Sequence, residues 1–289
     1  MLSILIPTKD YNCSQLVEEL HKQGTSLGVP FEILVGEDGT EALQLNKNAD
    51  TLPHSRRIIK QENIGRAAMR NTLAQAAQYP YILFIDSDAV VKNKDFLKNY
   101  MQPAGKNDVV CGGLYHAETL NDKNCSLRYR YEKEADKERG ATTRNLAPYD
   151  KFTTFNFIIR RELFLSIQFN EKITKYGYED VFFGKELERR KAKILHIDNK
   201  LLHNGLESNE IYLAKVEQSL VTLNEIKEEI KNTPLLNCAE KLEKLHLKKG
   251  VIALWKITKR ILKNNLLGEK PSLTVFKIYK LGYFLSIEG

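Results

Sequence analysis

The first half of the chain alternates short runs rich in β-branched and other apolar residues with longer helix-like stretches. Leu2 to Ile6, Phe31 to Val35, Arg57 to Lys60, Tyr81 to Ile85 and Asp108 to Cys111 are runs of four or five residues that predict strands. Between them, Ser14 to Gln23 places Leu16, Val17 and Leu20 on one face behind a capping serine, and Gly65 to Gln78 is rich in alanine, so both predict helices. Strands alternating with helices predict a mainly parallel sheet covered by helices, an α/β fold. Asn121 to Asp150 is crowded with charge and lacks an apolar period, which predicts a mobile loop or lid. Phe152 to Ile159 and Lys193 to Ile197 resume strand patterns, and Glu179 to Arg190 reads as a helix. From Glu207 to Pro271 the pattern is almost wholly helical, with no internal repeat and no low-complexity segment.

Composition narrows the class. At 289 residues and 42% hydrophobic content the chain can bury a sizeable core. No apolar run approaches the roughly 18 to 20 residues that span a bilayer, and Met1 to Pro7 lacks a basic leader, so a cytoplasmic protein is expected. Cys13, Cys111, Cys125 and Cys238 have no CxxC spacing, which argues against a zinc knuckle or a disulfide framework. The net charge of +7 is concentrated at the end: from Lys241 onward eleven Lys or Arg face Glu243, Glu269 and Glu288 alone. Within Val251 to Leu267, Lys256, Lys259, Arg260 and Lys263 share one helical stripe beside Ile252, Trp255, Leu262 and Leu266. The stripe fits a helix at an anionic membrane surface or a packed helix with a solvated basic face. No nucleic-acid-binding motif accompanies it, so no nucleic-acid partner is expected.

The chemistry gathers where strands end. The buried-strand pattern of Tyr81 to Ile85 runs directly into Asp86-Ser87-Asp88. Ligands of open α/β sheets bind at strand carboxyl ends, and two carboxylates two residues apart point the same way and suit a divalent cation shared with phosphates. The same triplet can also cap a turn. The first strand leads into Pro7-Thr8-Lys9-Asp10 and no glycine fingerprint occurs, which disfavours dehydrogenases and P-loop enzymes. The second strand ends in Glu37-Asp38-Gly39-Thr40, acids followed by a turn glycine. In Asn63-Ile64-Gly65-Arg66-Ala67-Ala68-Met69-Arg70-Asn71 a glycine opens a helix with Arg66 and Arg70 on one face, a plausible anion site or a solvated arginine face. Tyr176-Gly177-Tyr178-Glu179-Asp180 places two acids at a helix start, where they either cap the helix or act as a base.

In order and spacing, Ser3 to Thr8, Glu32 to Thr40, Asn63 to Asn71 and Asp86-Ser87-Asp88 resemble the nucleotide-sugar half of the family 2 glycosyltransferases. The resemblance implies a GT-A nucleotide-diphospho-sugar transferase fold, a Rossmann-like mixed sheet flanked by helices, over residues 1–205. It places a donor half at about residues 1–113 and an acceptor half at about 150–205, with residues 206–289 as a helical, basic extension. It implies inverting transfer from a nucleoside-diphosphate sugar, first of all a UDP-linked one, to a glycan or lipid-linked acceptor hydroxyl in bacterial surface glycan synthesis. Mn²⁺ or Mg²⁺ is the implied cofactor. Pro7, Thr8, Glu37, Asp38, Arg66, Arg70, Asp86, Gly112 and Gly113 would then meet the donor, and Asp86, Asp88 and His203 the metal. Asp180 would be the general base, with Glu179 and Asn156 at the acceptor and the roles of Glu179 and Asp180 open to exchange. Glu37 stands where the family usually has Asp, and Met69 where it usually has Ala. A sugar nucleotidyltransferase, which typically needs a glycine-rich signature near the first strand, and a non-catalytic nucleotide-sugar-binding relative are the alternatives.

Overall fold

The computed structural model describes residues 1–41, 44–171, 177–230 and 233–287; Tyr176 and Glu288, invoked above, lie outside the described residues. The chain forms two compact units, one of Met1–Ala117, Ala135–Thr174 and Glu179–Gly205, the other of Glu118–Glu134, Lys175–Tyr178 and Leu206–Gly289.

The first unit is built on β1 (Leu2–Thr8), β2 (Phe31–Asp38), β3 (Ser55–Lys60), β4 (Tyr81–Ile85), β5 (Ala89–Val90), β6 (Val109–Cys111), β7 (Leu114–Tyr115), β8 (Asn156–Arg160), β9 (Ile194–His196) and β10 (Leu201–His203). Its helices are α1 (Ser14–Ser26), α2 (Arg66–Ala76) and α3 (Phe96–Ala104). Of the others, α4 (Ser126–Asp136) lies mostly in the second unit, whereas α5 (Ala141–Arg144), α6 (Arg161–Ile167) and α7 (Glu179–Arg189) belong to the first. Seven strands pair in the order β3-β2-β1-β4-β8-β6-β9. The sheet is mixed, because β8 runs antiparallel to both β4 and β6 while the other neighbours are parallel. Successive residues of a strand face opposite sides, so Ile4 and Ile6 join α1 and α3 in one apolar layer while Leu5 joins α2, α6 and α7 in the other. Burial on both faces explains why the central strands read as mostly apolar runs. Since β1, β2 and β4 are parallel, Thr8, Asp38 and Asp86 emerge at the same edge.

A second sheet, β5-β10-β7, was not legible as such in the sequence. It registers His203 opposite Ala89, the residue after Asp88, across more than a hundred residues of chain.

The second unit adds α8 (Asn209–Ile226), α9 (Pro234–Lys244), α10 (Lys248–Leu267) and α11 (Leu273–Ile287). Phe276, Tyr279 and Phe284 of α11 and Trp255 and Leu266 of α10 are buried in it. Gly282 lets α10 approach α11, since a Cβ there would come within 2.6 Å of the Trp255 ring. The Asn209 side chain ties the unit together by accepting from the Leu127 amide at 2.7 Å and donating to the Gly268 carbonyl at 3.0 Å.

The stretch expected to be a loop instead carries α4 and α5. α4 buries only Ser126 and Leu127, so it shows no apolar period, and its Arg, Lys and Glu side chains are good formers of an exposed helix. α5 is held by the buried Arg144, whose guanidinium donates to the carbonyls of Cys111, Gly112 and Ile197.

Candidate functional site

Beyond β4 the chain turns, with the Ala89 amide bonded to the Asp86 carbonyl at 3.1 Å, and leaves Asp86 and Asp88 at the sheet edge. Arg70, one turn into α2, reaches Asp86 Oδ1 with Nη2 at 2.6 Å. Arg70 is 4% exposed, and its Nε and Nη1 have no hydrogen-bond partner. Buried donors left without acceptors cost free energy, so these two nitrogens mark where an anionic ligand would be held. Burial raises the Asp86 carboxyl above its ordinary value against the pull of Arg70, and the neighbouring Asp88 adds to the rise. Arg66 is exposed at the start of the same helix.

Pro7 and Thr8 end β1, and Thr8 is registered with Glu37. Glu37 is wholly buried; Oε1 accepts from Asn46 at 3.0 Å and Oε2 has no partner. Asp38 accepts from the amides of Ile64 at 2.7 Å and Gly65 at 3.1 Å, which fixes the loop into α2. Gly39 is required beside it, because φ is +61° and a Cβ would lie 2.4 Å from the Asn63 nitrogen. In this structure both acids expected at the donor base are therefore bonded to protein, Glu37 inside the core and Asp38 at the mouth of α2.

The small sheet brings His203 Nε2 to 3.0 Å from Asp88 Oδ2. On the other side of the ring, His203 Nδ1 lies 3.1 Å from His116 Nε2, and His116 Nδ1 lies 3.1 Å from Asp136 Oδ1. Burial opposes the Asp136 charge, but hydrogen bonds from the His116 ring and amide hold its carboxyl below the ordinary value. An ionised carboxylate only accepts, so His116 Nδ1 donates to it. With His116 neutral, His116 Nε2 accepts from His203 Nδ1, and His203 Nε2 then turns a lone pair toward the Asp88 carboxylate. Two acceptors at 3.0 Å require a proton or a cation between them.

That donor set fits a divalent ion of the Mn²⁺ or Mg²⁺ kind, which takes one or two protein ligands and completes its shell with phosphates and water. Among the described residues no group of three His, Cys, Asp or Glu side chains forms a metal cage. Gly205 makes room for Asp88, since a Cβ would fall 2.0 Å from Asp88 Oδ2. Tyr11 lies at the same place, its phenol raised by burial and by the Asp88 charge.

Gly112 and Gly113 form a turn after β6, and a Cβ on Gly112 would come within 2.0 Å of Asn156 Oδ1. Asn156, expected at the acceptor, is wholly buried, with Nδ2 donating to the Gly113 carbonyl at 2.5 Å and Oδ1 accepting from Tyr100. Its amide is spent on the turn, so it shapes the site from behind. Arg144 closes the same turn and donates Nη1 to His196 Nδ1 at 2.8 Å.

Glu179 and Asp180 open α7, each half-buried. Asp180 Oδ1 accepts from the Val181 amide at 2.9 Å. Burial, and then the Glu179 charge, push its carboxyl up to about 6, with Arg70 among the groups that oppose the rise. The influence of Arg70 places Asp180 in the electrostatic range of the Asp86 cluster. His116, Asp136, Tyr11 and Arg144 are the site residues that sequence reasoning missed.

A mixed sheet with acids at the ends of β2 and β4, flanked by helices and followed by a helical extension, is the GT-A fold of nucleotide-sugar transferases. The sequence pattern of glycosyl transferase family 2 matches residues 3–167, and the chain belongs to that family. No curated protein matches it by sequence. Among solved structures it is similar to a mannosyltransferase from Pyrobaculum calidifontis in complex with GDP-Man and Mn²⁺, at 14% identity and a TM-score of 0.59, covering 99% of this chain and 86% of that one. It is also similar to TarS 1-349 of S. aureus in complex with UDP, at 18% identity and a TM-score of 0.52, covering 99% and 90%. Against a longer TarS structure, at 19% identity and a TM-score of 0.51, the match covers 77% of this chain but only 39% of the other.

Proposed function

We propose that the protein is an inverting glycosyltransferase that moves a sugar from a nucleoside-diphosphate donor to an acceptor hydroxyl, with residues 1–205 carrying the chemistry. The observation that supports this most directly is the buried Arg70 guanidinium, with two unpartnered nitrogens beside Asp86 at the carboxyl end of β4. A diphosphate supplies the acceptors those nitrogens lack. Pro7, Thr8, Asp38 and the Gly112-Gly113 turn border the donor, and Arg66, exposed at the start of α2, adds positive charge beside it.

Asp88 and His203 would hold Mn²⁺ or Mg²⁺, and His116 and Asp136 would favour the His203 tautomer whose Nε2 lone pair is turned toward Asp88. The bound ion would supply positive charge to the departing diphosphate. Asp180 takes the proton of the acceptor hydroxyl as its oxygen forms the new bond to the anomeric carbon, and the bond from that carbon to the phosphate oxygen breaks on the opposite face. A carboxyl raised to about 6 is a stronger base than an ordinary one and stays ionised at neutral pH. Glu179 binds acceptor hydroxyls. The donor we put first is a UDP-linked sugar, and the setting is assembly of a bacterial surface glycan on a glycan or lipid-linked acceptor; one structure of similar fold contains UDP and another GDP-Man.

Incubation with UDP- and GDP-sugars and Mn²⁺ should release the nucleoside diphosphate. Donor binding should also raise the melting temperature, because a ligand held only by the folded state stabilises it. A panel that neither binds nor turns over would overturn the reading. Release of pyrophosphate from a nucleoside triphosphate and a sugar phosphate would establish a nucleotidyltransferase instead.

A further inference from the structure

The second unit carries an apolar face that its own core does not use. Trp255 and Leu266 of α10 are 7% and 0% exposed, and Trp255 stacks edge-on with Tyr279 at 4.8 Å. On a different side, Leu254, Ile257 and Ile261 are 61%, 77% and 71% exposed, and Leu247 just before the helix is 52% exposed. Spacings of three, four and seven residues put these four side chains on one stripe. The aromatics Phe276, Tyr279 and Phe284 of α11 are buried and cannot serve as surface anchors. α10 is thus apolar on two faces, one packed and one bare.

Charge decides what covers the bare face. α10 holds six cations and no acid in twenty residues. Lys256, Lys259, Arg260 and Lys263 are all exposed. The seven-residue recurrence of Leu247, Leu254 and Ile261 also suits a helix of a second copy. A two-fold contact, however, would bring the same cations of both copies together. An anionic lipid surface accepts hydrocarbon and cation side by side, and no described helix is long and apolar enough to cross it.

We propose that α10 is an in-plane membrane-docking helix, which inserts Leu254, Ile257 and Ile261 at the headgroup boundary of an anionic bilayer while Lys256, Arg260 and Lys263 engage lipid phosphates. Each cation close to such a surface strengthens binding about fivefold. The inserted side chains add a contribution that salt does not screen. The proposal is independent of the donor-site reading.

Flotation of the full chain with phosphatidylcholine vesicles, with and without phosphatidylglycerol, tests it. At about 0.1 M salt binding is expected to be much stronger to the anionic vesicles than to the neutral ones, to weaken as salt rises to about 1 M, and to persist in part. The pair Ile257→Ser with Ile261→Ser should reduce binding at least tenfold at both salt concentrations, whereas the trio Lys256→Gln, Arg260→Gln and Lys263→Gln should reduce it only at low salt. All five positions are exposed, so the melting curves of both variants should match the parent. Equal binding to neutral and anionic vesicles, no binding to either, or isoleucine variants that bind like the parent would overturn the proposal. A dimer in sedimentation that the isoleucine pair converts to monomer would overturn it in favour of self-association.

Discussion

The two units depart from ordinary partitioning in opposite directions. The first buries charge: Arg70 and Glu37 carry polar atoms with no partner inside it, and burial raises Asp86 and Asp180. The second exposes hydrocarbon, with Leu254, Ile257 and Ile261 all more than half accessible on one helix. Each arrangement costs stability in the isolated chain, and a ligand of matching chemistry offsets the cost. The difference teaches why the two proposals call for different ligands: a phosphate-bearing molecule at β4, a lipid boundary at α10.

The largest effect that could break the comparison is at Asp180. Asp180→Asn should lower turnover by roughly 10² to 10⁴ while leaving nucleotide affinity nearly unchanged. In the parent, turnover should fall as pH drops through about 6, where the Asp180 carboxylate becomes protonated. Stability should move the other way. The folded pKa lies above the unfolded one, so the penalty of the charge is absent well below the unfolded value and complete above about 6. Removing it with Asn should stabilise the protein by on the order of 1 kcal/mol at neutral pH and by nothing in acid, the half-exposed position moderating the gain. A destabilised Asn variant would make Asp180 a helix cap.

Next comes Arg70→Lys, which keeps the charge and removes the planar fork. Affinity for a nucleoside diphosphate should fall roughly 10- to 100-fold, the worth of one charge-assisted hydrogen bond, as read by calorimetry. Unchanged affinity would mean that the two unpartnered nitrogens face no ligand.

His116→Ala should have a smaller effect, weakening Mn²⁺ binding about tenfold by freeing the His203 tautomer, with Asp88→Asn and His203→Ala weakening it more. Electron paramagnetic resonance of free Mn²⁺ in the presence of nucleoside diphosphate measures this without turnover. A Mn²⁺ titration identical to the parent would reduce the His203–His116–Asp136 chain to packing.

What the sequence disclosed follows from the range of the interactions. β1, β2 and β4 were legible because burial on both faces needs a mostly apolar local run, and Asp86 and Asp88 because they adjoin the continuous one of β4. His116 meets His203 across 87 positions, and Arg144 meets His196 across 52, so neither contact leaves a local pattern. α4 was hidden because a helix with two buried residues has no period to read. In α10 the apolar residues were visible, but which of two faces the bundle would bury was decided by Gly282 and Tyr279 on α11.

The smallest effect is the one expected at Ile257, and set beside Leu266 it tests that choice of face. Leu266 is fully buried, so Leu266→Ala should cost about 2 to 5 kcal/mol through lost contacts and a cavity. Ile257 is 77% exposed and has little burial to lose, so Ile257→Ser should change stability by no more than about 0.5 kcal/mol in urea unfolding. If Ile257→Ser instead costs as much as Leu266→Ala, the side chain is buried in solution, and α10 has no free apolar face to offer a membrane.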